Sequence, residues 1–360
     1  MEADKSRLIF RLSSLGDVIL ASSVLSAFPP AQPVDWVVAR EFADVLRGHP
    51  GIRKLWEFDR KTGLRGWLEL CRVLQREGYS EVYDLHCTLR TRIARVVFRL
   101  SGGRLLVWRK FSKERWKLYG LFIFKKLWPS GLRPELFVRR FTSFAGGTGQ
   151  ERPDLTHLLK PDAPSGAAPT PLPAPLNEPG FPITQTYYCV MPGSKWKGKR
   201  WPAAKFLEAI ERIHGTPVIL GGPADEESLE LVSLLKSAGH PSYSGVGRWD
   251  LAQAARVLAG SLGYLGNDTG LAHLAEAVGC PALVIFGPTA PEMGFGPWRP
   301  ESGAVGIDLF CRPCGKDGRR CYRPFNKYLC MTGLDAKTVA GRFTKLSQTR
   351  PPKASPKVLL

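Results

Sequence analysis

The sequence predicts an α/β fold built from two Rossmann-like halves, and three observations carry that expectation. Strand-type runs alternate with helical segments, which is the βαβ signature of a parallel sheet. A proline-rich stretch interrupts the alternation once, after which it begins again. The 360 residues are too many for one ordinary core and suit two α/β domains. With 44% hydrophobic and 23% charged residues, the composition is that of a folded globular chain.

In the first half the strand-type runs are Arg7 to Leu12, Val34 to Ala39, Lys54 to Phe58, Glu81 to Leu85 and Arg104 to Val107. Pro161 to Pro182 reads as a semi-rigid linker by its proline, alanine and glycine content. The second half repeats the pattern with Tyr187 to Met191, Pro217 to Leu220, Leu262 to Leu265 and Ala282 to Phe286. Trp201-Pro202 places proline at a first helical turn, and Ala203 to His214 is apolar at helical spacing. The expected domains are 1–160, the linker 161–182, a second domain 183–349 and a frayed tail 350–360. Two α/β halves on one linker imply a cleft with both sheets facing it.

Lysine and arginine number 51 against 32 acidic residues, a net charge of +19. Much of the surface therefore attracts anions, whether nucleic acid, anionic lipid or phosphorylated small molecules. The apolar run Leu8 to Phe10 is broken by Arg11, so it is neither a signal peptide nor a membrane span, and no other stretch approaches the spanning length. A cytoplasmic protein is the expectation.

Four segments carry chemistry. In Arg11 to Leu20 (RLSSLGDVIL) a strand turns through Ser13, Ser14 and Gly16 into a helix near Asp17, where backbone can approach a ligand and a helix N-terminus favours an anion. Asp17 is also an ordinary helix-start residue. In Met191 to Pro202 (MPGSKWKGKRWP) a strand ends in a Gly/Ser loop with Ser194, then Lys195, Lys197, Lys199 and Arg200. Cations so crowded repel one another unless solvent or an anion screens them, and a strand's carboxyl end favours a phosphate. In Leu265 to Pro281 (LGNDTGLAHLAEAVGCP) a strand ends, Asn267 to Gly270 turn, and a helix runs from Leu271 to Val278 before Gly279 and Pro281. Backbone amides of Thr269, Gly270 and Leu271 would point out of that helix start toward a diphosphate. His273, on its first turn, reads equally as a core histidine. Phe286 to Trp298 (FGPTAPEMGFGPW) follows the next strand and borders the same crevice or is a plain turn.

These blocks, with LGGPADEE at Leu220 to Glu227, stand in the order and spacing of a known family. Together they resemble the ADP-heptose:lipopolysaccharide heptosyltransferases, over roughly Arg7 to Leu334. The resemblance implies a GT-B fold, an acceptor-binding N-terminal domain, a donor-binding C-terminal domain and inverting transfer of heptose from ADP-heptose to the lipopolysaccharide inner core. By that resemblance Asp17 is the general base and Lys199 the phosphate-binding lysine. Asp268, Thr269, Gly270 and His273 form the donor motif, with Ser194 and Leu271 beside it, and Asp225 or Glu226 reaches the donor ribose. Ser14, Gly16, Arg90 and Arg92 are assigned to the lipid A-core acceptor. One departure is Ala290, where the family's loop usually carries aspartate, so another nucleotide-sugar donor stays open. An attacking hydroxyl must shed its proton to a carboxylate, and a departing diphosphate needs cations and amides. No D-x-D occurs, so no essential catalytic metal is expected.

Cys71, Cys87, Cys189 and Cys280 read as reduced core thiols. Cys311, Cys314, Cys321 and Cys330 have a C-x2-C start that suits a structural zinc, while free thiols and disulfides stay open. From Arg104 to Arg133 nine basic residues and one acid interleave with aromatics, and we read this stretch as contacting an anionic membrane from the cytoplasmic face of the inner membrane while drawing in phosphorylated core sugars. The alternative there is a core whose cations are merely solvated. A nucleic-acid-binding reading rests on charge and cysteines alone; no recognition helix or RNA-binding sheet motif supports it.

Overall fold

The computed structural model describes residues 7–30, 32–100, 107–160 and 186–349. The linker 161–182, the tail 350–360 and the start of the strand expected at Arg104 lie outside the described residues. Within 7–113 and 137–160 the chain forms one compact unit, and 114–136 clusters with 186–349 in the other. Sequence order had placed 114–136 in the N-terminal domain. Its side chains instead pack on the second unit, as detailed below.

The first unit is built from β1 (Arg7–Phe10), α1 (Leu15–Ala21), β2 (Val34–Ala39), β3 (Ile52–Phe58), α2 (Gly63–Arg76), β4 (Glu81–Asp84), α3 (Leu89–Leu100) and β5 (Val107–Lys110). After α4 (Arg115–Phe124), which belongs to the other unit, α5 (Phe137–Phe144) completes it. The strand order is β3-β2-β1-β4-β5, parallel throughout. β2 is buried along its whole length, as a parallel strand covered on both faces must be. Its one charge, Asp35, is fully buried and held by Arg53 at 2.8 and 2.9 Å and by the Tyr79 hydroxyl at 2.5 Å. α2 turns Trp67, Cys71 and Leu74 inward at i, i+4 and i+7, against Phe10 and Phe58.

The second sheet uses β6 (Tyr187–Met191), β7 (Thr216–Ile219), β8 (Tyr243–Ser244), β9 (Tyr264–Asn267), β10 (Ala282–Ile285) and β11 (Gly303–Val305) in the order β11-β10-β9-β6-β7-β8. These pairings are parallel too. Helices α6 (Ala203–Ile210), α7 (Glu226–Ser237), α8 (Leu251–Gly260), α9 (Gly270–Ala277), α10 (Leu329–Thr332) and α11 (Ala336–Gln348) accompany it. Trp201, Phe206, Tyr188 and Phe343 centre its core.

The two-half Rossmann-like expectation is borne out, with local differences. β9 starts two residues later than expected and includes Asn267, whose polarity reads as a turn. The amide is buried and satisfied, because Nδ2 donates to Pro192 O at 2.5 Å and Oδ1 accepts from the Trp201 N–H at 3.2 Å. β8 and β11 are too short for a periodic signal. Among the described residues no helix is long and apolar enough to cross a membrane.

The first unit also holds a histidine pair. His157 is buried and packs edge-on against His49 at 4.9 Å between ring centroids. Burial, helped by the nearby His49, lowers the His157 pKa to about 4. The unfolded chain takes up this proton below about pH 6.5 and the folded chain only near pH 4, so stability falls as pH drops through that window. We expect the wild type to lose more stability between pH 7 and pH 5 than His157→Phe, by on the order of 2 kcal/mol. Equal losses in denaturant titrations at the two pH values would refute the assignment.

Candidate active site

In an open parallel sheet, ligands bind beyond the carboxyl ends of the strands where the strand order reverses. In the first unit that point lies between β1 and β4, and in the second between β6 and β9. The motifs read from the sequence fall at these two places.

After β1 the chain enters α1 through Ser14, and Asp17 turns back on this corner. Its Oδ2 accepts from the Ser14 N–H at 3.1 Å and hydroxyl at 2.9 Å, and its Oδ1 pairs with the Arg11 guanidinium at 2.7 Å. Arg11 is itself buried and donates to Leu85 O, beyond β4, at 2.6 Å. Asp17 therefore does cap its helix, yet a quarter of its side chain remains accessible. Burial works to raise its pKa, but the Arg11 charge and the Ser14 hydrogen bonds outweigh it and hold the carboxyl below its usual value. Past β4 sits His86, which the sequence reading missed although its strand-end position was a signal. It is buried, and that burial with the Arg11 and Lys113 charges brings its pKa down to about 3, so it is a neutral imidazole. Gly16 lies within α1. On α3, Arg90 and Arg92 are exposed, and the Arg90 guanidinium lies over the Phe58 ring at 5.7 Å.

In the second unit Lys199 and Asp268, from the loops after β6 and β9, pair at 2.5 Å, both largely buried. Thr289, from the loop after β10, donates to the same Asp268 oxygen at 2.8 Å. Read from the sequence, Lys199 and Asp268 each faced the donor; the structure joins them to each other. Thr269 takes extended backbone ahead of α9, which begins at Gly270 and Leu271, and the first N–H groups of a helix have no acceptor inside it. Ser194 O accepts from Arg200 Nε at 2.7 Å, and Arg200 also pairs with Glu227. Of the two ribose candidates, Asp225 caps α7 and lies so close to the β6 loop that a β-carbon at Gly193 would fall 1.7 Å from its Oδ2. Glu226 is exposed on the first turn of α7.

His273 is buried, with Nδ1 4.0 Å from Glu276 Oε2. Glu276, fully buried, accepts from the Trp298 and Arg299 N–H groups at 2.9 Å each and so ties the end of the Phe286 to Trp298 segment to α9. Burial pushes its pKa up to about 7. Nothing local in the motif marks this anchor, which joins positions 22 residues apart.

All eight cysteines are free thiols. Cys314 donates to Cys311 O at 3.3 Å, and Cys321 accepts from the Tyr328 N–H at 3.2 Å. Among the described residues no group of three or more His, Cys, Asp or Glu side chains is arranged to hold a metal ion. Cys87, read as a core thiol, is only half-buried.

Two parallel-sheet units of this topology define a protein of the GT-B fold class. Residues 67–322 match the family model described as glycosyltransferase family 9 (heptosyltransferase). The chain belongs to that family. It is 28% identical over 362 residues to lipopolysaccharide heptosyltransferase 1 of Pseudomonas aeruginosa, covering 92% of this chain and 95% of that one. It is 24% identical over 314 residues to the Escherichia coli protein of the same name, covering 80% and 90%. In fold it resembles a Veillonella parvula family 9 glycosyltransferase at TM-score 0.71 and 18% identity, over 97% and 99% of the chains. An E. coli heptosyltransferase solved with ADP aligns at TM-score 0.62 and 19% identity, over 95% and 99%.

Two predictions follow from these ion pairs. Arg11→Met leaves Asp17 with burial and loses the guanidinium, so the acid limb of kcat/KM should move to higher pH by about 1 unit or more, provided thermal melting shows the protein folded. An unmoved limb would separate Asp17 from the titration. Lys199→Ala should weaken ADP binding by roughly 10- to 100-fold while leaving acceptor KM nearly unchanged. The double variant Lys199→Ala/Asp268→Asn, which strands no carboxylate, should bind ADP as weakly; recovery of affinity would show that the stranded charge was the cause.

Proposed function

We propose that this glycosyltransferase transfers heptose from ADP-heptose to the inner core of lipopolysaccharide with inversion at the anomeric carbon. The observation that carries the reading is the Lys199–Asp268–Thr289 cluster at the start of α9, an ammonium held beside helix amides where a diphosphate would sit. Supporting it, lipopolysaccharide heptosyltransferases match over 92% and 80% of the chain, and fold neighbours were solved with ADP and with ADP-2-deoxy-2-fluoro heptose.

In this reading the acceptor hydroxyl attacks the anomeric carbon, the bond from that carbon to the diphosphate oxygen breaks, and ADP leaves with the electron pair. The hydroxyl proton passes to Asp17. A carboxylate held ionised by Arg11 is a weak base in the ground state, so proton transfer becomes favourable only late, as carbon–oxygen bonding acidifies the hydroxyl. Lys199 and the amides of Thr269, Gly270 and Leu271 stabilise the departing charge. Asp225, whose carboxylate lies beside the β6 loop, is assigned to the ribose in preference to Glu226, and Ser194 and His273 complete the donor side. Ser14, Gly16, Arg90 and Arg92 serve the acceptor. Because the acceptor's lipid A part is membrane-anchored, the enzyme works as a peripheral protein at an anionic membrane surface on the cytoplasmic side.

Ala290 favours a second reading, a different nucleotide-sugar donor for surface glycan synthesis. Turnover of ADP-heptose against UDP- and GDP-sugars on truncated core acceptors decides between the two: preference for another donor overturns the first. Asp17→Asn, nearly isosteric, should lower kcat by about 10²- to 10⁴-fold with little change in melting temperature. Unchanged turnover in the folded variant rejects Asp17 as the base.

A further inference from the structure

The segment 114–136 leaves an unusual surface. On α4, Gly120 and Leu121 are turned inward. Trp128 folds back so closely that a β-carbon at Gly120 would lie 2.3 Å from its ring. Trp128 stacks on Phe124 at 5.5 Å, meets Trp116 edge-on at 6.4 Å, and donates its indole N–H to Leu132 O at 2.9 Å. The turn is thus fixed by these ring contacts. Trp116, Tyr119 and Ile123 of α4 and Leu127 of the turn after it are 55, 58, 71 and 78% exposed. Scattered apolar residues at a surface need no explanation, but four so close together on one short segment do.

Beneath the same segment the second unit has a cavity of about 260 Å³, which Lys125, Lys126, Arg133 and Arg312 line together with Glu292 and Asp308. Four cations against two acids give its wall an excess of +2. Each lysine is steered by a partner: Lys125 bonds to Pro313 O, and Lys126 pairs with Asp308 at 2.5 Å. Arg312 is fixed by donating to Phe286 O at 2.9 Å and Thr289 O at 3.0 Å. The segment 114–136 as a whole carries five cations and two acids.

We infer that α4 and this cavity form a docking site for a phosphorylated lipid headgroup at a membrane surface, with the aromatic face entering the interface and the phosphate held in the cavity. Indole and phenol rings favour the interface, where an apolar body and a polar edge are both accommodated. Lysines near an anionic leaflet attract it, Arg133 offers a planar donor that suits phosphate oxygens, and the carbonyl-bound Arg312 adds charge to the wall. The charge of the occupant follows from the excess of the wall, and its lipid nature from the apolar row on the same short segment. Proposing a membrane-bound occupant rests on the reading of the function above.

The test is cosedimentation of the full chain with vesicles of phosphatidylcholine alone, with phosphatidylglycerol, or with phosphatidic acid at matched charge, without donor or acceptor. The variants are Lys125→Gln/Arg133→Gln for the cavity and Ile123→Ser/Leu127→Ser for the exposed face, whose exposure lets it change without disturbing the fold. Lys236→Gln/Lys345→Gln removes the same charge elsewhere in the unit. A cation near the leaflet contributes about fivefold in binding, so the cavity variant should lose at least about tenfold and the control less than about twofold. Phosphatidic acid, with its more exposed phosphate, should bind best, and soluble glycerol phosphate should compete. Equal binding by wild type and both variants overturns the proposal. So does equal loss in the control, which would show attraction by net charge alone. Turnover of a soluble core-sugar acceptor by the wild type tests the transfer reading separately.

Discussion

The ion pair between Lys199 and Asp268 spans the place where the order of the second sheet reverses. β6 and β9 are neighbours there, but their following loops diverge toward helices on different sides. The pair bridges the segments that follow the two strands at this point. Asp268 keeps the ammonium ordered beside the start of α9, and Thr289 from the loop after β10 fixes the carboxylate in turn. The loops after three neighbouring strands of the sheet, β6, β9 and β10, are thereby joined through one oxygen. In the proposed reaction a diphosphate arriving at this point would not need to order Lys199, only to compete for it, so little side-chain entropy would be spent at binding.

The first unit solves a similar problem with the signs exchanged. There the residue of interest is the acid, Asp17, and the buried Arg11 plays the part that Asp268 plays for Lys199. Arg11 also bonds to Leu85 O past β4, so the same guanidinium bridges the two strand ends at the reversal. His86 stays neutral because it is buried and because Arg11 and Lys113 already supply positive charge around it. Local neutralisation in both units explains why a net charge of +19 is not concentrated on the reactive groups. The excess is carried by exposed arginines and lysines elsewhere, including those of α3 and 114–136.

The buried central strands were legible because parallel strands covered on two faces are continuous apolar runs, and β2 and β6 were read to the residue, whereas the short β8 and β11 were not. The candidate site was legible where a residue is local to a motif: Asp17, Lys199 and Asp268 lie in the segments that follow β1, β6 and β9. Their partners were not. Arg11 with Leu85 and Lys199 with Asp268 join positions 74 and 69 residues apart, and only the sheet order brings such residues together. Asn267 misled because its side chain is polar while its surroundings satisfy it. The affiliation of 114–136 was hidden for a related reason. Its contacts to Asp308 and Pro313 lie far along the chain, and an aromatic, basic stretch looks the same in either unit.

Ala290 connects the two themes. It lies between Thr289, which holds Asp268, and Pro291, and it also lines the cavity beneath 114–136. A carboxylate there, as the family's loop usually has, would face a wall of four cations and two acids and would lower its excess from +2 to +1. It would also stand one residue from the Thr289 hydroxyl and add negative charge near the oxygen that pairs with Lys199. Alanine, nearly buried at this position, leaves the Lys199–Asp268 pair without that second carboxylate and leaves the cavity more cationic. One substitution on one short loop thus moves charge at two places, and a change that first looks like a question of donor sugar bears equally on which anion the second unit attracts.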